Sequence, residues 1–220
     1  MVCEISPADR GLLTAGQLAG VLFLGVATYG IMTRPGFDLQ RQAVSNLTLG
    51  EGGWTMTAAF ILSGLMTILC AIGLSRIIAE GRGRRALPVL IGLYGLGLVV
   101  AGIFPPPACC GFPAGTPDDQ LPLMTPGAII HSMAFMVAFG SLIAACFVAA
   151  RRFSGGSSLP SLLAGIFMPL LVALGMTGAM APGVAFLIAA IIGWVWLAIV
   201  VMQLAGQSAQ AGATALAPQL

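Results

Sequence analysis

Six stretches of this chain are each long and apolar enough to cross a bilayer as a helix. They run over residues 11–33, 54–79, 86–104, 127–150, 160–176 and 184–204, against the roughly 20 apolar residues that a hydrocarbon layer about 30 Å thick demands. Composition agrees. Hydrophobic residues make up 58% of the 220 and charged residues only 7%, whereas a soluble domain has about 25% charged residues with which to cover its surface. The expected fold is an all-α, polytopic membrane helical bundle with six transmembrane helices. The last two spans are separated only by a turn at 177–183 that holds Pro182, which leaves a single re-entrant pass as the alternative there. Pro169 lies inside the fifth span and predicts a kink, because it removes one backbone donor.

The basic residues set an expected orientation. All nine are arginine, and short cytoplasmic loops are enriched in Arg and Lys. Arg10, Arg76, Arg82, Arg84, Arg85, Arg151 and Arg152 fall on one side of the six spans, and only Arg34 and Arg41 on the other. Both chain ends are therefore expected in the cytoplasm (N-in/C-in). That gives a cytoplasmic segment at 1–10, a transmembrane domain at 11–204 and a disordered cytoplasmic tail at 205–220. The two long loops, 34–53 and 105–126, would both be extracytoplasmic and placed to meet over one mouth of the bundle. Residues 1–10 carry Glu4 and Asp9 rather than a basic leader, so the first apolar stretch is expected to remain as an anchor. The Ala, Gly and Arg richness suggests a bacterial source and hence its inner membrane. Nine scattered arginines make no basic stripe, which argues against a nucleic-acid partner.

Polar residues that could carry chemistry are few. His131 is the only histidine and lies near the outer end of the fourth span. At 100° per residue, Gly127, Ala128, Ala134, Ala138 and Ala145 fall within about 60° of its direction. A histidine on such a small-residue stripe is expected to face neighbouring helices, as a functional group or as a hydrogen bond holding them together. In the first loop Asp38, Arg41 and Ser45 recur at helical spacing, and a short interfacial helix would put them on one face. Asn46 follows, within Asn46-Leu47-Thr48, formally a glycosylation sequon. Trp54 is expected to anchor the interface.

The five cysteines form no metal-type spacing. Cys109 and Cys110, side by side, admit a vicinal disulfide or two free thiols. Copper ligation through His131 with Met124, Met133 and Met136 is disfavoured, because Met133 and Met136 lie about 200° and 140° around the helix from His131. Asp118 and Asp119 read as turn-solvating residues before they read as an acid–base pair. No metal and no cofactor is expected: one histidine rules out a bis-histidine haem, and no phosphate-binding or protease motif is present.

Several blocks in order resemble the bacterial membrane proteins of the domain of unknown function 998 family. These are QRQAVSNLTLGEGGW in the first loop, TAAFILSG ending at Gly64, GLYGLGLVVAGIFP ending at Pro105, and GFPAGTP from Gly111 to Pro117. GAIIHSMAF around His131 and ACFVAARRF ending at Phe153 complete the set. The likeness covers about residues 34–153. It implies a six-helix membrane fold with no established activity, and shared polar positions at Asp38, Arg41, Ser45, Asn46 and His131. The resemblance also implies an aspartate just before GFPxGTP in the relatives, where this chain has Pro105, Pro106 and Pro107.

The leading expectation is a non-catalytic membrane protein that binds a small ligand or lipid head group at its extracytoplasmic face. Asp38, Arg41, Ser45, Asn46 and His131 are the candidate contacts, with Asp38 orienting Arg41. The alternatives are an accessory or scaffold subunit docking a membrane protein partner, a small-solute transporter, and a membrane-embedded enzyme using His131.

Overall fold

The computed structural model describes residues 5–216, with side chains through 208. Its helices are α1 (Pro7–Thr33), α2 (Trp54–Ile77), α3 (Ala86–Ile103), α4 (Pro126–Arg152), α5 (Leu159–Thr177) and α6 (Pro182–Leu216), with 3-10 turns at Val44–Thr48 and Gly155–Ser158. All six are long and apolar enough to cross a membrane, and the chain is a multi-pass integral membrane protein. The helices alternate in direction. One end of the bundle therefore carries both long loops and the 178–181 turn, and the other carries the start of α1, the end of α6 and seven of the arginines.

The ends of the helices follow from local chemistry. Ser6 caps α1, accepting from Asp9 N at 3.1 Å, and Thr125 caps α4, accepting from Ala128 N at 3.2 Å. In both cases Pro occupies the first helical position, where no N–H is needed. Between α5 and α6, Gly178 takes the left-handed conformation (φ 74°) that a helix-ending cap requires. That turn resolves the soft boundary in favour of two separate spans. The helix α5 runs through Pro169 unbroken. The tail expected at 205–220 is helical as far as Leu216, and Ser208 ties it back by donating to Ile77 O at 3.1 Å. Residues 217–220 lie outside the described residues.

Packing uses small residues. The helix α2 lies between α1 and α3, α3 packs on α4, and α5 joins α4 to α6, which returns to α1. At the α2–α3 crossing a Cβ on Gly95 would lie 2.6 Å from Gly64 O, and one on Gly64 would lie 2.6 Å from Gly95 O. Only glycine permits backbones that close, which is how helices gain contact where lipid supplies no hydrophobic drive. The stripe around His131 behaves as its sequence predicts: Ala128, Ala134, Ala138 and Ala145 are all buried. Several polar core groups find partners, Ser63 Oγ donating to Ala19 O at 3.0 Å and Trp196 Nε1 donating to Ser161 Oγ at 3.0 Å. Outward-facing Val21, Met32, Val89 and Ile166 are exposed, an apolar exterior suited to lipid.

Candidate functional site

The two long loops fold together into a cap over one end of the bundle. Gln42 is the central staple. It is 2% exposed, its side-chain Oε1 accepts from Asp38 N at 2.7 Å, and its Nε2 donates to Cys110 O at 2.6 Å. The backbone carbonyls of Leu39 and Gln42 press against Gly183 at the start of α6, where any side chain would collide. Arg34 supplies the second staple. Its guanidinium donates to Leu47 O at 3.0 Å and to Leu49 O, and lies 5.4 Å from the centre of the Phe112 ring. Phe112, 1% exposed, packs edge-on against Phe37.

This geometry corrects the expected interfacial helix. Asp38 to Gln42 make one hydrogen-bonded turn, with Gln42 N bonding Asp38 O at 2.8 Å. The chain then extends at Ala43 (ψ 155°) before the 3-10 turn Val44–Thr48. Spacing of three and four residues is the same in a single turn as in a helix, and here Gln42 Oε1 caps the turn at its start by accepting from Asp38 N. The expected local pairing of Asp38 with Arg41 is also replaced. Asp38 Oδ1 accepts from Gln40 N at 2.9 Å. Arg41 reaches across to the second loop, donating to Asp118 Oδ1 at 2.8 Å and to Asp118 O at 3.0 Å. The hydrogen bond from Arg41 to the Asp118 carboxylate holds the guanidinium pKa above its ordinary value. Both partners stay exposed, on the cap's outer surface.

Beneath the cap lies a cavity of about 290 Å³, lined by residues of α1, α2, α3, α4 and α6, the end of α5, and both loops. Ser45, Asn46 and His131, three of the five sequence candidates, line it; Asp38 and Arg41 do not. Asn46 is buried and donates from Nδ2 to Pro107 O at 3.3 Å. The floor is aromatic. Phe23 meets Phe60 edge-on with ring centres 4.9 Å apart, and Tyr94 meets Trp194 at 5.3 Å. Trp194 is 4% exposed, and its Nε1 has no hydrogen-bond partner among the described residues. At 1.5 Å per residue, Trp194 lies about 18 Å along α6 from Pro182, well into the bilayer's depth.

His131 holds the junction between cavity and cap. Its Nδ1 lies 2.8 Å from Phe104 O and 3.1 Å from Ala101 O. Both partners are carbonyls, so Nδ1 carries a proton and donates. The need for that donor comes from the sequence. The carbonyls of Ala101, Gly102 and Ile103 would ordinarily be satisfied by the N–H groups of residues 105–107, and all three are prolines. The proline run thus removes three backbone donors, and His131 supplies one in their place. Its other ring nitrogen, Nε2, makes no hydrogen bond among the described residues.

Cys109 and Cys110 are both free thiols. Burial, with a further contribution from the hydrogen bond to Cys110, pushes the Cys109 thiol up to about 12. Among the described residues no group of three or more His, Cys, Asp or Glu side chains is placed to hold a metal ion. Met133 is exposed on the outer face of α4, while Met136 lies on the cavity's rim.

Sequence reasoning missed Gln42, Arg34 and Trp194. Gln42 sits inside the first-loop block that resembles the family, but nothing in its type or spacing separates it from Gln40. The family described as Protein of unknown function (DUF998) matches residues 17–203. No curated protein and no solved structure matches the chain.

Proposed function

The chain belongs to the family described as Protein of unknown function (DUF998), and from its own geometry we propose that it is a non-catalytic binding protein for a small, lipid-like molecule held in the capped cavity. The carrying observation is the character of that cavity. It is close to the lower end of the roughly 300–1,000 Å³ of small-molecule pockets, and like them it is mostly apolar with a few convergent polar groups. Ser45, Asn46 and His131 supply those groups at the roof, and Phe23, Phe60, Tyr94 and Trp194 form the floor.

The route in is from the side. Met136 and Met176 line the cavity and are 54% and 61% exposed on the outer surface of the helices. A molecule dissolved in the bilayer would thus reach the cavity without crossing the cap. Arg41, engaged with Asp118 on the cap's outside, serves the cap rather than the ligand. Under the arginine bias the cap is extracytoplasmic and both chain ends are cytoplasmic, in a bacterial inner membrane. Among the described residues no pair of positioned acid and base lines the cavity, which favours binding over turnover.

Ala190 lines the cavity from α6, and Ala190→Phe would fill part of it. Native mass spectrometry of the full chain from mild detergent should find a defined small molecule or lipid retained by wild type and lost by Ala190→Phe. Equal retention by both folded proteins would sink the cavity as the binding site.

A further inference from the structure

The roof of the cavity dictates what kind of polar group can enter it. His131 is 7% exposed, and its Nδ1 proton is committed to Phe104 O and Ala101 O. Nε2 of the neutral ring therefore presents a lone pair, and only a donor can satisfy it. A doubly protonated ring would need an anion nearby, since a buried charge without a partner is strongly disfavoured. Among the described residues no Asp, Glu, Lys or Arg lines the cavity, so a cationic head group finds no counter-ion there, the ring on its own is neutral, and an anionic head group would enter only together with the proton that charges His131. Ser45 and Asn46, which line the cavity with His131, can hydrogen-bond a neutral polar group. Phe186 and Met176 line the cavity near the level of His131, and the deeper walls are Phe135 and Phe139, down to the Tyr94–Trp194 pair.

Resting on the reading of the cavity as a lipid-binding site, we propose that its ligand is an uncharged bilayer alcohol whose hydroxyl donates to His131 Nε2 and whose apolar body lies along the cavity toward Trp194. His131 is about 8 Å and Trp194 about 18 Å along their helices from the capped end, so the polar and apolar ends of the ligand are placed in that order. Two membrane sources share this chemistry: a glyceride with one open hydroxyl, and an isoprenoid or long-chain alcohol.

Four probes separate the cases: dioctanoylglycerol, its 3-O-methyl ether, farnesol, and dioctanoyl phosphatidic acid. Each is titrated against the full wild-type chain in phosphatidylcholine nanodiscs and followed by native mass spectrometry. Saturable binding of dioctanoylglycerol or farnesol is expected, and the one that binds identifies the source. If the glyceride binds, its methyl ether should bind roughly five- to tenfold more weakly, the loss of one buried hydrogen bond. Phosphatidic acid should not compete. His131→Asn supplies the matching test in the protein. Its amide N–H can still serve the α3 carbonyls, but it offers no acceptor at the Nε2 position, so it should fold and lose the alcohol by a similar factor.

An ether that binds as well as its parent alcohol, phosphatidic acid that competes, or a folded His131→Asn that binds the alcohol fully would each overturn the hydroxyl assignment. If no alcohol binds while wild type still retains a molecule that Ala190→Phe loses, this inference fails and the cavity reading stands. If wild type retains nothing and binds nothing, both fail.

Discussion

Replacing His131 by Ala should destabilise the bundle by about 3 kcal/mol. Hydrogen bonds between membrane helices average only about 0.6 kcal/mol and reach about 1.7, because the separated helices find other partners. Here the alternative partners are missing. The three residues after α3 that would normally bond back to it are Pro105, Pro106 and Pro107, so the carbonyl of Ala101 has no backbone donor in reach of a frayed turn. The one Nδ1 proton is shared between the two carbonyls, at 2.8 and 3.1 Å. Its loss leaves both without a donor, at about 1–3 kcal/mol for each buried group left unsatisfied, with the lower half of that range applying to a shared proton. At roughly 2–4 °C per kcal/mol for a chain of this size, thermal unfolding in mild detergent should fall by about 6–12 °C. His131→Asn keeps a donor near the same point and should lose less than about half as much. An Ala variant no less stable than the Asn variant would refute the capping argument, and with it the forced tautomer on which the ligand chemistry rests.

Gly95→Ala places a methyl 2.6 Å from the backbone of Gly64, while Gly92→Ala meets nothing closer than Ala71 Cβ at 3.7 Å. Overpacking against a backbone costs about 1–3 kcal/mol, so unfolding assays should show Gly95→Ala clearly destabilised and Gly92→Ala near wild type. Gln42→Ala removes the staple between the loops, and hydrogen exchange should speed up at the amides of residues 108–120 while the cores of α2 and α3 stay protected. Maleimide should label Cys110 well before Cys109 at pH 8, because Cys109 is buried and its thiolate forms only toward its raised pKa of about 12. Gln42→Ala should bring the two rates together, as read by mass spectrometry of the labelled chain.

The spans were legible because lipid imposes length and polarity on every residue that faces it, and that requirement is written locally. The burial of the small-residue stripe around His131 was legible for the same reason, since its spacing follows the helical period. The meeting of the two loops followed from counting spans. The cap's interior did not, because Gln42 to Cys110 and Arg41 to Asp118 are contacts made 68 and 77 residues apart. Asp38 and Arg41 looked like partners only because they are neighbours in sequence. The cavity was invisible for a related reason. Trp194 reads as one more apolar residue in an apolar helix, and its indole N–H matters only once Tyr94 and Phe23 close around it. The role of the three prolines was hidden too, since it is defined by the carbonyls they leave for His131.

The most direct measurement is a high-resolution cryo-electron microscopy map of the protein extracted with its native lipids, held rigid by a bound antibody fragment on the arginine-rich end. The account predicts elongated density under the cap, with one end within hydrogen-bonding distance of His131 Nε2 and the body running toward Trp194. A cavity that is empty, or filled by inward-turned Phe135, Phe139 and Phe186, would contradict it.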